Sequence, residues 1–400
     1  MLRMKNGSMK SQEKLRVAWL YTGTLSESLD GATWVETTRY LRDMGWPVTL
    51  FTVGKRGRHF VRGVEVVGVS PPNVYFLRQL VFHFCVIRYL LKRWKDVDVV
   101  LFHEMSAIWL LPLLIIRLIL KRNGSGPFFV MDTRSLFMPP EAKSALKDRV
   151  RSVYLALVDR VANSFVDGRL TITLEMARAC NVRVSKLWGT WPSGVDPQPF
   201  ITAQNKRTWP ITDEPICLIY IGSLHYERNL LTFSRAVMDA NEAGTNFKLS
   251  LVGDGTEYRE LELFAAQTNG VIEVVPSIPY EEVPDLLAKA HVGILPFPDE
   301  VKFRVSSPIK LFEYMAAGIP ILATRIQCHT SVIADGKYVF WAEGSTQPFL
   351  KSALEQLWQD RDRLSIMGKE ATAAVEGWTW SDAACKLSQA LTKGIDSMRK

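Results

Sequence analysis

The stretch best equipped for chemistry is HVGILPFPDEVKFRVSSPIKLFEYMAAGIPILAT, residues 291–324. An apolar strand ends at Leu295, a loop follows, and the pattern places a helix start near Pro308 with Ser306 or Ser307 as its cap. The free N–H groups of such a first turn, at the positive end of the helix dipole, suit a phosphate. Lys310 adds a point charge beside it. Glu313, one turn on, carries a carboxylate able to accept two hydroxyls of a ribose. Gly318 closes the helix and the next strand starts at Pro320. The same spacing also fits an ordinary helix–strand connection with a solvated Glu, and the spacing does not choose between the two. A second group of polar residues follows strand-like runs earlier in the chain. His103 and Glu104 come after DVVLF, and Asp132 and Arg134 lie in MDTRS. Gly253 and Gly255 in LVGDG lack the third glycine of a dinucleotide fingerprint, so they read as a tight turn. His59, His83, His225, His291 and His329 share no spacing and receive no role.

These residues need a frame to hold them. Short apolar runs alternate with amphipathic stretches almost throughout, which implies parallel sheets with helices on both faces. Strands are expected at Arg16–Tyr21, Pro47–Val53, Asp98–Phe102 and Phe128–Met131, and a helix at Ala32–Met44. The pattern restarts with strands at Ile216–Ile221, Lys248–Val252, Val271–Val275, Val292–Leu295 and Pro320–Ala323. WGTWPSGVDPQPF, between the two series, reads as a linker. At 400 residues two domains are expected: 1–195 and 196–379, with a last helix over 380–400 packing back on the first. The fold class is thus α/β, two Rossmann-like doubly wound parallel-sheet domains facing a cleft, and ligands are expected beyond the carboxyl ends of the strands.

Charge separates the halves. Residues 1–200 hold 29 Lys and Arg against 16 Asp and Glu, a net of +13, while residues 201–400 hold 20 against 25, a net of −5. Only the first half therefore suits an anionic partner. The basic residues form no nucleic-acid motif, so no nucleic acid is expected. Five cysteines without a CxxC pair argue against a disulfide framework and fit a reducing, cytoplasmic compartment. The polar, basic residues 1–16 hold no apolar core of a signal peptide. AIWLLPLLIIRLIL, residues 107–120, is short of the ~20 residues a membrane span needs and reads as a buried helix. Val74–Lys95 is different: Arg78, Arg88, Lys92 and Lys95 form a basic stripe beside Tyr75, Phe76, Tyr89 and Trp94. That is the make-up of an interfacial helix on an anionic membrane surface, with the N-terminal tail and Lys55, Arg56 and Arg58 adding to it.

Taken in order along the chain, these segments resemble the retaining glycosyltransferases of family four, with the GT-B fold (glycosyltransferase group 1 type). SSPIKLFEYMAAGIPILAT is similar to their donor-binding segment, YIGSLHYERNLLTFSRA to the opening of their second domain, and LVGDG to their next strand end. GTWPSGVDPQPF resembles the interdomain linker and FHEMSA the His-containing strand end of the first domain. The resemblance implies that Glu313 holds the donor ribose, with Ser306, Ser307, Pro308 and Ile309 giving backbone N–H groups or shape around the phosphates. Arg228 and Lys310 would bind the diphosphate, since Ser223 stands where the family has a second basic residue. Gly222, Gly253 and Gly255 would line the donor site, and the base would lie on the loop at 276–279, near Ser277. His103 would face the transferred sugar. Asp30 and Gly31, where the family often has two glycines, would join Glu104, Asp132 and Arg134 on the acceptor side. Val305 stands where the family's first Glu would fall. No metal and no cofactor are expected, the nucleotide sugar (UDP- or GDP-linked) being the donor substrate and a glycan or lipid-linked molecule the acceptor. Transfer would proceed with retention, from a protein at the inner face of the cell membrane. A non-catalytic nucleotide-sugar binding protein and a GT-B-fold epimerase are the alternatives.

Overall fold

A computed structural model describes residues 14–25, 31–120, 126–136, 145–211 and 214–399. The chain divides into two compact units, Met1–Asp132 with Arg151–Arg169 and Ser388–Lys400, and Thr133–Val150 with Leu170–Leu387.

The first sheet contains β1 (Val17–Leu20), β2 (Val48–Val53), β3 (Gly57–Val61), β4 (Val64–Val69), β5 (Val99–His103), β6 (Phe128–Thr133), β7 (Gly168–Thr171) and β8 (Leu187–Thr190). Their order is β3-β4-β2-β1-β5-β6-β7-β8. β1, β5 and β6 are apolar along nearly their whole length because helices bury both of their faces. On one face Leu20, Phe102 and Met131 pack with Phe82 and Val86 of the helix Tyr75–Lys92, Leu113 of the helix Leu111–Leu120, and Val158 of the helix Ala145–Phe165. The second sheet holds β9 (Ile216–Ile221), β10 (Phe247–Val252), β11 (Ile272–Val275), β12 (Val292–Leu295), β13 (Ile321–Thr324) and β14 (Val339–Ala342). Its order, β11-β10-β9-β12-β13-β14, is the doubly wound one, all parallel. The order in which strands are added reverses between β1 and β5 in one sheet and between β9 and β12 in the other, while these strands stay parallel. The candidate residues lie after these strands.

Three expectations change. The segment Gly57–Val69 is an antiparallel hairpin at the sheet edge, turned by Arg62 and Gly63, both at positive φ. Its strand β3 is short and largely exposed, carrying Arg58 and His59. The apolar run at 107–120 is only half buried: the helix Leu111–Leu120 hides Leu113, Leu114 and Arg117 but exposes Ile115, Leu118 and Ile119. Arg117 is seated inside by Asp167 at 3.4 Å and by the ring of Phe128. The linker is also structured in place: it contributes β8, the buried Trp191, and the helix Pro197–Gln204 capped by Asp196.

Candidate functional site

In the second unit the site is assembled from loops that leave β9, β10, β11 and β12. Gly222 and Gly253 end β9 and β10 at φ +154° and +147°. A Cβ on Gly253 would sit 1.8 Å from the carbonyl oxygen of Gly222, and one on Gly255 would sit 2.1 Å from that of Leu224. The two loops close on each other through Gly222 N–H to Val252 O and Leu224 N–H to Asp254 O, both 2.9 Å. The glycines therefore permit the two loops to pack, and LVGDG forms the close turn expected of it. On the third loop, Ser277 turns its hydroxyl and its N–H to the carboxylate of Asp254.

After β12 come a short helix, Val301–Arg304, and then the helix Ile309–Ala316, with Pro308 as its N-cap. No side chain caps it. The serines expected to do so are engaged elsewhere: Ser306 donates to Phe303 O at 2.8 Å, and buried Ser307 accepts from Ser193 N–H at 3.2 Å. Val305 lies in an apolar cluster with Ile172, Met176 and Cys180, and its carbonyl accepts from Thr173 Oγ1 at 2.7 Å. Packing fixes this residue as apolar, whereas a carboxylate there would be buried without a partner.

Glu313 is fully buried. Its Oε2 accepts from Lys310 Nζ at 2.8 Å, while Oε1 has no partner. Lys310, expected as a free point charge for phosphate, is thus paired one turn along its own helix. The next residue, Tyr314, is anchored under the site, accepting from Ile221 N–H at 3.3 Å and donating to Ile219 O at 3.4 Å. Burial, then the neighbouring Tyr220, pushes its hydroxyl well above the usual tyrosine value, so it remains a neutral donor. The second half of the helix is in this way tied directly to the end of β9.

Arg228 closes the short turn Tyr226–Arg228. Its guanidinium lies 5.0 Å from the ring of Phe297 and 5.2 Å from that of Phe303, and the two rings stack on each other at 4.9 Å. Its Nε has no hydrogen-bond partner. A planar cation held by ring faces with donor capacity unspent suits a diphosphate. Beneath lies His329, 5.6 Å from Phe297 and fully buried, whose Nδ1 donates to Thr324 O. Burial holds it down at about 4, so it is neutral. Neither the ring cage nor His329 was marked in the sequence. The phenylalanines lay within PFPDEVKF, where an Arg-binding role leaves no spacing to read.

In the first unit His103 ends β5, and Asp132 of β6 stands in register with it. His103 Nε2 is 3.1 Å from Glu104 Oε2. Glu104 is buried, and burial raises its carboxyl to about 8, against the pull of the Arg169 guanidinium. Gly31 opens the helix Gly31–Asp43, where a Cβ would meet Leu25 O at 2.6 Å. Asp30 and residues 1–13 of the N-terminal tail lie outside the described residues. Arg134, just past β6, belongs to the second unit. Its guanidinium stacks on buried Trp191 at 3.6 Å and donates to Trp191 O at 3.2 Å and Ser193 Oγ at 3.3 Å. That Arg braces residues 191–193, the last of which holds Ser307.

With this geometry in place, likeness to known proteins can be weighed. Residues 215–372 match the family model described as Glycosyl transferases group 1. The match covers β9 to β14, together with the turn that carries Arg228 and the helix that carries Lys310 and Glu313. Two curated relatives are similar over part of their length. A GDP-mannose-dependent alpha-(1-6)-phosphatidylinositol monomannoside mannosyltransferase of Mycolicibacterium smegmatis is 26% identical over 212 residues, 50% of this chain and 55% of its own. An uncharacterized glycosyltransferase of Methanocaldococcus jannaschii is 22% identical over 163 residues, 40% of this chain and 44% of its own. The chain thus spans about half the length of the curated relatives it matches. Solved structures extend the likeness of fold to nearly the whole chain. Sucrose-phosphate synthase from Thermosynechococcus elongatus gives a TM-score of 0.74 at 16% identity, over 96% of this chain and 100% of that one. HepE of Anabaena in complex with UDP-glucose gives 0.68 at 12%, over 94% and 99%. The two α/β domains share the GT-B fold of these structures.

Proposed function

We propose that the chain is a glycosyltransferase that binds a nucleotide diphosphate sugar on its second unit and transfers the sugar to an acceptor met by its first. The observation that carries the reading is Glu313, a fully buried carboxylate with one oxygen on Lys310 and the other unpaired, inside the group 1 match. A ribose hydroxyl donating to Oε1 would complete it. The diphosphate would lie between Arg228 and the uncapped start of the helix Ile309–Ala316, where both offer donors to the charge that grows as the nucleotide leaves. Within this reading the base is uracil or guanine, the chemistry needs no metal, and transfer retains configuration by attack on the face the nucleotide leaves. Titration calorimetry with UDP and GDP, followed by transfer from UDP- and GDP-sugars with the product anomer read by NMR, tests each part. Binding of neither nucleotide would overturn the proposal. Binding without transfer or hydrolysis would favour a non-catalytic binding protein.

We further propose that the acceptor is presented at an anionic lipid surface. No described helix is long and apolar enough to cross a membrane. The helix Tyr75–Lys92, however, exposes Phe76, Leu77, Leu80, Phe84 and Leu91 to solvent, with exposed Arg88 and Lys92 along one edge. In the same helical layer Ile115, Leu118 and Ile119 are exposed on Leu111–Leu120. An outward apolar face with a basic margin suits the boundary of an anionic bilayer, at about 1 kcal/mol for each basic residue near the surface. Co-sedimentation with vesicles of phosphatidylglycerol, against vesicles of phosphatidylcholine, separates this from a soluble acceptor. Equal indifference to both would sink the membrane part and leave the donor reading intact.

A further inference from the structure

Between the turn that carries Arg228 and the helix Leu230–Glu242 stands Asn229, in the left-handed region at φ +63°. Asparagine tolerates that conformation and glycine takes it at no steric cost, so the backbone by itself does not call for an amide here. Nor does the side chain cap the helix it precedes. Its Nδ2 donates instead to Pro296 O at 3.1 Å and to Ser345 O at 2.7 Å, 67 and 116 positions along the chain. Pro296 follows β12 and Ser345 follows β14, so one amide fastens three loops at the carboxyl ends of the second sheet. Pro296 also precedes Phe297, a ring on which Arg228 lies. Phe297 is held from another side, its carbonyl accepting from Thr324 Oγ1 at 2.6 Å, and its ring stacks on Phe303. The main chain beside Arg228 is thus joined to the ring seat by the side chain of the next residue. Arg228 itself spends no hydrogen bond from Nε.

The geometry points to Asn229 as a positioning residue that seats Arg228 against Phe297 and Phe303. Ring faces attract a guanidinium but fix its direction weakly. An arginine held by that attraction alone keeps much of its rotamer freedom, and a ligand that freezes it bears the cost. Two hydrogen bonds from the adjacent amide set the spacing between the Arg228 backbone and the Phe297 ring. Fewer rotamers then reach the seat, and the guanidinium is presented in one place before any ligand arrives. The inference rests on the proposed function only in taking a diphosphate as the group that Arg228 receives. The seat itself is a property of the free protein.

Asn229→Gly keeps the backbone and deletes both hydrogen bonds. Asn229→Asp keeps the shape and sets carboxylate oxygens against the two carbonyls. Arginine-selective 15N labelling reads the seat in the free protein through the Arg228 Nε–H, assigned by the signal that Arg228→Lys removes. Shielded by two rings in the parent, that proton should move in both variants toward the position of solvent-exposed arginines and exchange faster with water. Calorimetry gives the second readout. In Asn229→Gly, affinity for whichever of UDP and GDP the parent binds should fall about tenfold, the worth of one or two hydrogen bonds. In an Arg228→Ala background the same substitution should change that affinity by less than about twofold, because the residue it positions is gone. An asparagine that merely holds the loops together would weaken binding equally in both backgrounds, and that result overturns the proposal. So does an Nε–H signal unmoved in either folded variant. A signal that moves in a protein binding neither nucleotide would leave the seat standing and remove the functional reading instead.

Discussion

A carboxylate as deeply buried as Glu313 is held in place by its neighbours, and the neighbours set what its removal does. Lys310→Met strands the charge, and breaking a buried pair from one side costs about 3–5 kcal/mol. Adding Glu313→Gln to Lys310→Met should recover much of that loss, since no charge is then left unpaired. Urea unfolding of the parent and both variants measures it, and equal stability of parent and Lys310→Met would mean the pair contributes nothing. Function should separate differently. Glu313→Ala should weaken UDP or GDP binding and lose most transfer. Arg228→Ala should weaken the diphosphate by about 1.5–3 kcal/mol, the worth of a hydrogen bond to a charged group. His103→Ala should slow transfer and leave nucleotide affinity nearly untouched. Calorimetry beside a transfer assay sorts the three, and transfer at the parental rate by His103→Ala would make His103 structural. Gly253→Ala tests the loop packing: a methyl 1.8 Å from Gly222 O forces the loops apart at about 1–3 kcal/mol.

At the scale of elements, the sequence was legible where burial is uniform. β1, β5, β9 and β12 are continuous apolar runs because both faces of a parallel sheet are covered, and a run of that kind needs no partner to be recognised. The hairpin β3–β4 was missed because an edge strand with one exposed face keeps Arg58 and His59 among few apolar residues. The Glu313 segment was read correctly as strand, loop and helix, yet its serines were misassigned. Capping competes with tertiary contacts, and the partners of Ser307 and Val305, at 193 and 173, are too distant in sequence for a local rule to see. The packing of Arg134 on Trp191, 57 positions along the chain, is as invisible to such a rule. Tyr314→Phe follows from this scale. It removes the tie between the helix Ile309–Ala316 and β9, and should cost about 1 kcal/mol of stability with a further fall in nucleotide affinity. On the outer helix, Arg88→Glu with Lys92→Glu should abolish binding to phosphatidylglycerol vesicles without altering nucleotide affinity. Unaltered vesicle binding would exclude that helix as the contact.

For the whole molecule, pH acts through groups buried in their uncharged forms. His83 and His329 are each held down at about 4 by burial. Their contribution is complete above the ordinary histidine value of 6.5 and fades as the pH falls toward 4, because the unfolded chain then takes up protons the native chain refuses. Glu104, raised to about 8, and Glu257, raised to about 7 by burial and then Glu260, act with the opposite sign. Their contribution is complete below 4.5 and is lost as the pH climbs through 7 and 8. Between 4.5 and 6.5 two groups of each kind offset one another, so the slope should show above 6.5, at about 1.4 kcal/mol per pH unit for each proton. Denaturant midpoints near neutrality and near pH 8.5 should therefore fall in the parent and fall less in Glu104→Gln. An unchanged decline in that variant would show that Glu104 is buried as the carboxylate.

The fastening of residues 305–307 carries a consequence for the order in which the protein is made. Val305 O and Ser307 Oγ are held by Thr173 and by the N–H of Ser193, 132 and 114 positions earlier in the chain. On the ribosome, the earlier halves of these contacts emerge long before the later ones and must wait for most of the second sheet to be synthesised. Contacts across such separations close slowly. The loop at residues 305–307 should thus be the last part of its unit to acquire protection from proteases during synthesis, and, under the proposed function, a nascent chain halted short of Val305 should bind no nucleotide even with β9 to β11 already folded.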